Sequence, residues 1–405
     1  MQTFAKIFLT TVLALTILGA GVAIGYVLRD TVVNDQPTEE AQQDISLYWE
    51  VWNRVNEQFY GGIPVDTNTT YGAIKGSLAT LEDPYTLFLE PEPAANEKAQ
   101  LEGQFGGIGA YVQRDEEGRV ILDPMRNQAA ENAGLESGDV LIKIDDTDVV
   151  PEMTTEEIVK MIRGEVGTEV VLTVEREGSD APVEITIARA IIETPSADWR
   201  ILEETPTIGY VRLTSFTERS NEELNEAFDE LIEQGAETFI FDLRGNGGGL
   251  LDASIDITSQ FLRDGVVVRE DRQGEGERTY DVRGGGKVLD QPVVLLVDGG
   301  TASASEILAG ALKDYDRATL IGEKTFGKGS VQLIYELSDK SRLHVTVAKW
   351  FTPDGNAIDG TGLAPDIEVL FTEEDHTNGN DPQFQRAVDY LQNKEYEVAE
   401  NKVAE

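Results

Sequence analysis

Residues 293–332, VVLLVDGGTASASEILAGALKDYDRATLIGEKTFGKGSVQ, spell out one supersecondary unit. The apolar run 293–297 predicts a strand buried on both faces, and Asp298-Gly299-Gly300 predicts a turn. Residues 305–313 predict a helix with Ile307, Leu308 and Leu312 along one side, and residues 318–321 a second buried strand. This is a βαβ unit whose helix starts among serines, with Ser303 at the strand-to-helix turn. A hydroxyl there is lifted clear of the sheet, and the unpaired N–H groups of the helix's first turn can stabilise an oxyanion. A serine at this place is more often only a helix cap, so the segment alone leaves both roles open.

A nucleophilic serine needs a base, and here composition restricts the choice. The chain has no Cys and only two His, at positions 344 and 376. His344 falls in the alternating strand-like Leu343-His344-Val345-Thr346-Val347, and His376 in an acidic tail, so neither sits in a triad context. The remaining base is lysine. Lys328 lies in Gly327-Lys328-Gly329, after the second strand of the same unit, and the ends of neighbouring parallel strands are where a doubly wound sheet gathers its site residues. As a base its amine must be neutral near neutral pH, which burial among apolar groups achieves by disfavouring the ammonium.

The same segment nearly spells a phosphate loop, since GEKTFGKG at residues 322–329 follows a strand. Gly329 stands where that loop needs Ser or Thr, however, and Val331-Gln332-Leu333-Ile334-Tyr335 is strand-like where it needs a helix. Nucleotide binding is set aside on those two counts.

Gly300-Thr301-Ala302-Ser303-Ala304-Ser305-Glu306-Ile307, followed by Gly327-Lys328-Gly329-Ser330-Val331-Gln332, resembles the C-terminal processing peptidases, tail-specific serine proteases with a PDZ domain. The likeness runs through residues 45–390. It implies an α/β protease core of βαβ units, crotonase- or Clp-like, with an inserted PDZ domain and an N-terminal helical region. By the same likeness Ser303 is the nucleophile, Lys328 the general base and Gln332 the residue that helps hold the lysine. Arg244-Gly245-Asn246-Gly247-Gly248-Gly249 carries three successive glycines, costly in backbone entropy. The likeness makes Gly248 an N–H donor to the oxyanion alongside Ala304. Many relatives have proline where this chain has Gly247, which bears on the stiffness of the loop and not on its amides. No metal or cofactor is implied.

Upstream, residues 7–28 are apolar almost throughout and end at Arg29. That is bilayer length, where the core of a cleaved signal is about 7 to 15 residues, so an uncleaved anchor is favoured over a cleaved signal. The likeness places the catalytic part outside the cytoplasm. The balance of 75 acidic to 33 basic residues argues against nucleic acid and against charge-driven binding to anionic lipid. Ile45, Tyr48, Trp49, Trp52, Val55 and Phe59 recur at roughly helical spacing, and a second helical stretch ends before Pro84. The segment 85–91 resembles the family's N-terminal helical region, which implies contacts to a neighbouring subunit, hence a homo-oligomer, or to the PDZ domain.

Gly106-Gly107-Ile108-Gly109 opens a run of short strands, and residues 129–146 with a helix at 154–162 and a strand at 170–175 look like a PDZ domain of the protease type. Such a domain adds an extended peptide to its sheet edge while backbone N–H groups hold the terminal carboxylate. Gly106, Gly107 and Gly109, with Ile108 between them, are the expected carboxylate loop, and Arg163 matches the family arginine that couples peptide binding to activation.

The expected division is an anchor or signal at 1–29, a linker at 30–43, the helical region at 44–100, the PDZ domain at 101–192, the protease core at 193–371 and a C-terminal helix with acidic tail at 372–405. The expected partners are unfolded or tail-exposed proteins and the membrane, with no nucleic acid. The alternative from another class is a non-catalytic peptide-binding module, a chaperone or adaptor. Its mark would be loss of the serine or the lysine, and both are present.

Overall fold

The computed structural model describes residues 39–61, 68–115, 117–164 and 166–393. The apolar stretch 7–28 and most of the segment read as a linker lie outside them, as does the tail beyond 393. Among the described residues no helix is long and apolar enough to cross a membrane.

The chain divides after Gly72 into two units. In the first, the helix Glu39–Gln58 begins inside the stretch expected to be linker. Its Ile45, Trp49 and Val51 are exposed, so the aromatic spacing does not mark a buried core, although the Tyr48 and Trp52 rings stack at 6.4 Å.

The second unit is built on a six-stranded sheet ordered Ala197–Leu202, Thr205–Leu213, Thr238–Asp242, Val293–Val297, Ala318–Gly322, Ile367–Glu368. The first pair is antiparallel and all later pairs are parallel. Strand order follows chain order without reversal. Right-handed crossovers therefore place the connecting helices Ser220–Glu233, Leu251–Thr258 and Ala304–Asp314 on one face. The sheet is thus wound in one direction only and has no switch point.

The opposite face is closed by the last helix, Pro382–Gln392, which starts with Asp381 accepting the Phe384 N–H and Pro382 in its first turn. This explains the uninterrupted apolar run of the central strand. Val293, Leu295 and Val297 pack with the connecting helices, while Val294 and Leu296 pack with Ala387, Val388 and Leu391 of the final helix. Each such side chain contributes about 1.5 to 3 kcal/mol by leaving water.

A second, antiparallel sheet joins Leu87–Leu89, Arg342–Phe351, Val266–Arg272 and Gly276–Asp281, with Ser330–Glu336 pairing the long strand Arg342–Phe351 on its other side. Within 85–91, Leu87–Leu89 is a strand and Pro91 opens the helix Pro91–Glu102. Leu87, Phe88 and Leu89 add to the edge opposite His344, Leu343 and Arg342.

The inserted module has its own sheet, Ala110–Arg114, Val120–Pro124, Asp139–Ile144, Glu169–Glu175 and Val183–Ala188, and its own core around Leu122, Ile144, Ile158 and Leu172. It is carried on a two-stranded ribbon of Gln104–Gly107 against Ala190–Glu193.

Candidate active site

Ser303 sits beyond the carboxyl end of the central strand with φ 55° and ψ −117°, a left-handed region that a non-glycine residue enters at a cost of about 1 to 3 kcal/mol. The surroundings hold it there. The Asp298 side chain accepts the N–H groups of Gly300 and Gly245, both at 2.9 Å, and the Asn246 carbonyl accepts the Ala302 N–H and the Ser305 hydroxyl at 3.0 and 2.9 Å. Behind the serine the Glu306 N–H returns to its carbonyl at 2.8 Å. The Ser303 hydroxyl makes no capping bond, so the helix-cap role does not occupy it.

Glu306 is fully buried and unexpected from the sequence. Its carboxylate accepts the Ser303 N–H at 2.9 Å, the Lys328 N–H at 2.8 Å, the Gly327 N–H at 2.7 Å and the Thr325 hydroxyl at 2.6 Å. One side chain thereby ties the serine turn to the lysine loop. The spacing Ser303-x-x-Glu306 is a capping-box signature. It points to the bond between Glu306 and the Ser303 N–H but not to the other three.

Gly327 and Gly329, on either side of the lysine, are required by packing. A Cβ on Gly327 would lie 2.9 Å from the Gly362 nitrogen, and one on Gly329 would lie 2.1 Å from the Asp359 nitrogen. The Lys328 side chain is partly buried, and its ammonium lies 5.0 Å from the centroid of the Tyr85 ring. Burial pushes the amine below its ordinary value, partly offset by the negative charge of Glu97. The Gln332 amide nitrogen donates to Ser330 Oγ at 2.8 Å and lies 3.4 Å from Thr346 Oγ1.

The glycine loop passes close to the serine. Gly248 has φ 101°, and a Cβ there would lie 2.8 Å from Ser303 Cβ and 2.9 Å from the Ala304 nitrogen. Its N–H, however, donates to Asn246 Oδ1 at 2.9 Å, while the N–H of Ala304 has no acceptor among the described residues. At the start of this loop Arg244 bonds both Asp242, at 2.7 Å, and Asp381 at the head of the last helix, at 2.8 and 2.9 Å. Tyr210 adds its hydroxyl to Asp242 at 2.8 Å, so the carboxylate, 1 % exposed, is fully engaged.

In the inserted module, Gly106 and Gly109 have packing reasons of their own. A Cβ on Gly106 would fall 2.0 Å from the Gly164 carbonyl oxygen, and one on Gly109 would fall 2.3 Å from the Gln128 side chain. Gly107 is the last residue of the ribbon strand and Ile108 is buried beside it. The N–H groups of Ile108 and Gly109 find no acceptor among the described residues. Next to them the strand Ala110–Arg114 pairs on one side only, and the helix Thr155–Ile162 packs beside it. Arg163 ends that helix and lies 3.9 Å over the ring of Phe105.

A serine held on a strained turn at the carboxyl end of a one-way parallel sheet, with a separate antiparallel module inserted ahead of it, is the plan of a PDZ-bearing serine peptidase. Comparison with known proteins gives the lineage. The profile of peptidase family S41 matches residues 207–369, and that of a PDZ domain matches residues 120–176. The carboxyl-terminal-processing protease of Synechocystis is 39 % identical over 330 residues, covering 80 % of this chain and 77 % of that protein. The carboxy-terminal-processing protease of Bartonella bacilliformis is 36 % identical over 345 residues, 84 % of this chain and 77 % of that one. Among solved structures, an S41 protease of Bacteroides fragilis shares the fold at TM-score 0.50 and 17 % identity, covering 83 % of this chain and 92 % of that one. The chain belongs to peptidase family S41, among the carboxyl-terminal-processing serine proteases.

Proposed function

We propose that this enzyme cleaves protein substrates with a Ser303/Lys328 dyad, after its PDZ domain, residues 101–192, has taken the substrate's C-terminal tail. The reading is carried by the Glu306 carboxylate, whose one oxygen lies 2.9 Å from the Ser303 nitrogen and 2.8 Å from the Lys328 nitrogen. Ser303 Oγ attacks the peptide carbonyl as the Lys328 amine takes its proton. The lysine then gives that proton to the departing amine, and activates water to release the acyl group. The developing oxyanion takes the Ala304 N–H and draws the Gly248 N–H from Asn246 Oδ1. Gln332 orients Lys328. The free N–H groups of Ile108 and Gly109 would hold the tail carboxylate, with the tail paired along Ala110–Arg114 and Arg163 reporting its arrival.

We place the catalytic part outside the cytoplasm, anchored by residues 1–29 or released by their cleavage, and acting on unfolded or tail-exposed proteins as a homo-oligomer. The test follows cleavage of an unfolded protein ending in apolar residues against one ending in charged residues, by parent, Ser303→Ala and Lys328→Ala proteins. Cleavage by the parent alone, faster on the apolar tail, is expected. Equal tail binding by all three with no cleavage at all would favour a peptide-binding module, and cleavage by Lys328→Ala at the parent rate would end the dyad mechanism.

A further inference from the structure

We propose that Tyr85 is a positioning residue for the base, its ring face holding the ammonium that forms on Lys328 when the serine proton is transferred. This rests on the Ser303/Lys328 reading above. A dyad lacks the third, charged member that steadies the imidazolium of a triad. The lysine ammonium lies 5.0 Å from the Tyr85 centroid, inside the range of about 6 Å at which an aromatic face attracts a cation.

The charged and titratable groups facing this pair are each committed elsewhere. Glu97, on the helix Pro91–Glu102, bonds His344 at 3.1 Å and Arg342 at 3.2 Å. Glu306 accepts four donors, Asp359 pairs with Lys349 at 2.9 Å, and Asp83 accepts the Tyr85 N–H and the Thr86 hydroxyl. Burial, with Asp359, Glu306 and Asp83 nearby, pushes the Tyr85 phenol above its ordinary value, so the ring stays neutral.

The ring is also fixed in advance. Its N–H bonds Asp83 at 3.1 Å, its neighbour Thr86 accepts the Thr346 N–H at 3.0 Å, and Leu87–Leu89 is paired into the sheet. A preset group costs no reorganisation when charge develops. Magnitude explains why a ring stands here in place of a carboxylate. A carboxylate within about 4 to 6 Å moves a pKa by about 1 to 3 units and would keep the lysine protonated. A ring face is worth about 3- to 30-fold, enough to hold the ammonium without trapping it.

The experiment uses the full chain and fluorescein-labelled β-casein, and measures kcat/KM against pH for the parent, Tyr85→Phe, Tyr85→Leu, and proteins with 4-fluoro- or 3,4,5-trifluorophenylalanine at position 85. The fluorinated rings keep the shape of phenylalanine while draining charge from its face. Tyr85→Phe is expected to match the parent. Tyr85→Leu and the trifluoro ring are expected to lose about 3- to 30-fold on the high-pH plateau, with the acid limb displaced to lower pH, because the protonated lysine has lost its support. A fluorine series that leaves the limb in place, or Tyr85→Phe as damaged as Tyr85→Leu, would overturn the proposal, and the fluorine series decides it even if Tyr85→Leu fails to fold. Lys328→Ala separates the two layers. If it is inert and the series is flat, the role of Tyr85 alone falls; if it cleaves like the parent, the dyad falls and takes this role with it.

Discussion

Glu306 and Lys328 meet through the backbone: the lysine N–H lies 2.8 Å from the carboxylate oxygen that also accepts the Ser303 N–H at 2.9 Å. Replacing Glu306 by Gln keeps the shape but sets an NH2 among four donors, leaving at least one of them unpaired. We expect a loss of about 1 to 3 kcal/mol in urea unfolding, and a fall in kcat larger than any rise in KM, because the serine turn and lysine loop are no longer fastened together. Unchanged kcat with lowered stability would confine Glu306 to a structural role.

The lysine amine is held below its ordinary value of 10.5 by burial. Two pH effects follow. The base works when neutral, so kcat/KM should rise with pH along an acid limb whose midpoint lies below 10.5. In stability the unfolded lysine binds the proton more tightly than the folded one, so the unfolded state holds more protons between the two values. Stability therefore rises with pH through that window, and Lys328→Met should abolish this contribution. Chemical denaturation of both proteins across pH 7 to 11 measures it.

Gly248→Ala should disable the enzyme with little effect on tail binding. The added methyl would enter 2.8 Å from both Ser303 Cβ and the Ala302 carbonyl oxygen, at a φ of 101° that alanine rarely adopts. We expect kcat to fall by about 10²-fold or more, as for loss of an oxyanion donor. A protein cutting at the parent rate would remove this loop from the mechanism.

Asp381 both caps the final helix and holds Arg244. Asp381→Ser keeps a capping oxygen while losing the ion pair, so it isolates the second role. Burial would raise the Asp381 carboxyl, but the bonds from Arg244 and the Phe384 N–H outweigh it and leave the group below its ordinary 3.8. Its contribution is present above that value and lost as pH falls through the lower folded one. The parent should therefore lose its advantage over Asp381→Ser in thermal melts as the pH drops below about 4.

Much of the core was legible because local pattern and final burial agree. The strand Val293–Val297 and the helix after it came out as the residues predict. The order of the sheet was not legible, since a run such as 293–297 reads the same in a sheet wound one way or both ways. Leu87–Leu89 was missed because three residues carry no period, and their strand character comes from Arg342–Phe351, far along the chain. Glu306 was missed for a similar reason. In a helix it reads as solvated, and its burial is balanced by donors from a loop that sequence spacing does not place. The glycine loop does run close to the serine, but the bond from Gly248 to Asn246 Oδ1 depends on a rotamer that the sequence does not give.

The ribbon that carries the inserted module closes at its base, where the Thr194 N–H bonds the Gly103 carbonyl at 3.0 Å. For the host chain, an insertion whose ends already touch acts as one long hairpin loop, and the entropy of closing such a loop grows only with the logarithm of its length. The protease core therefore tolerates the whole module about as easily as a surface turn. An insertion closed in this way can differ in length while Ser303 and Lys328, built from later parts of the chain, keep their places.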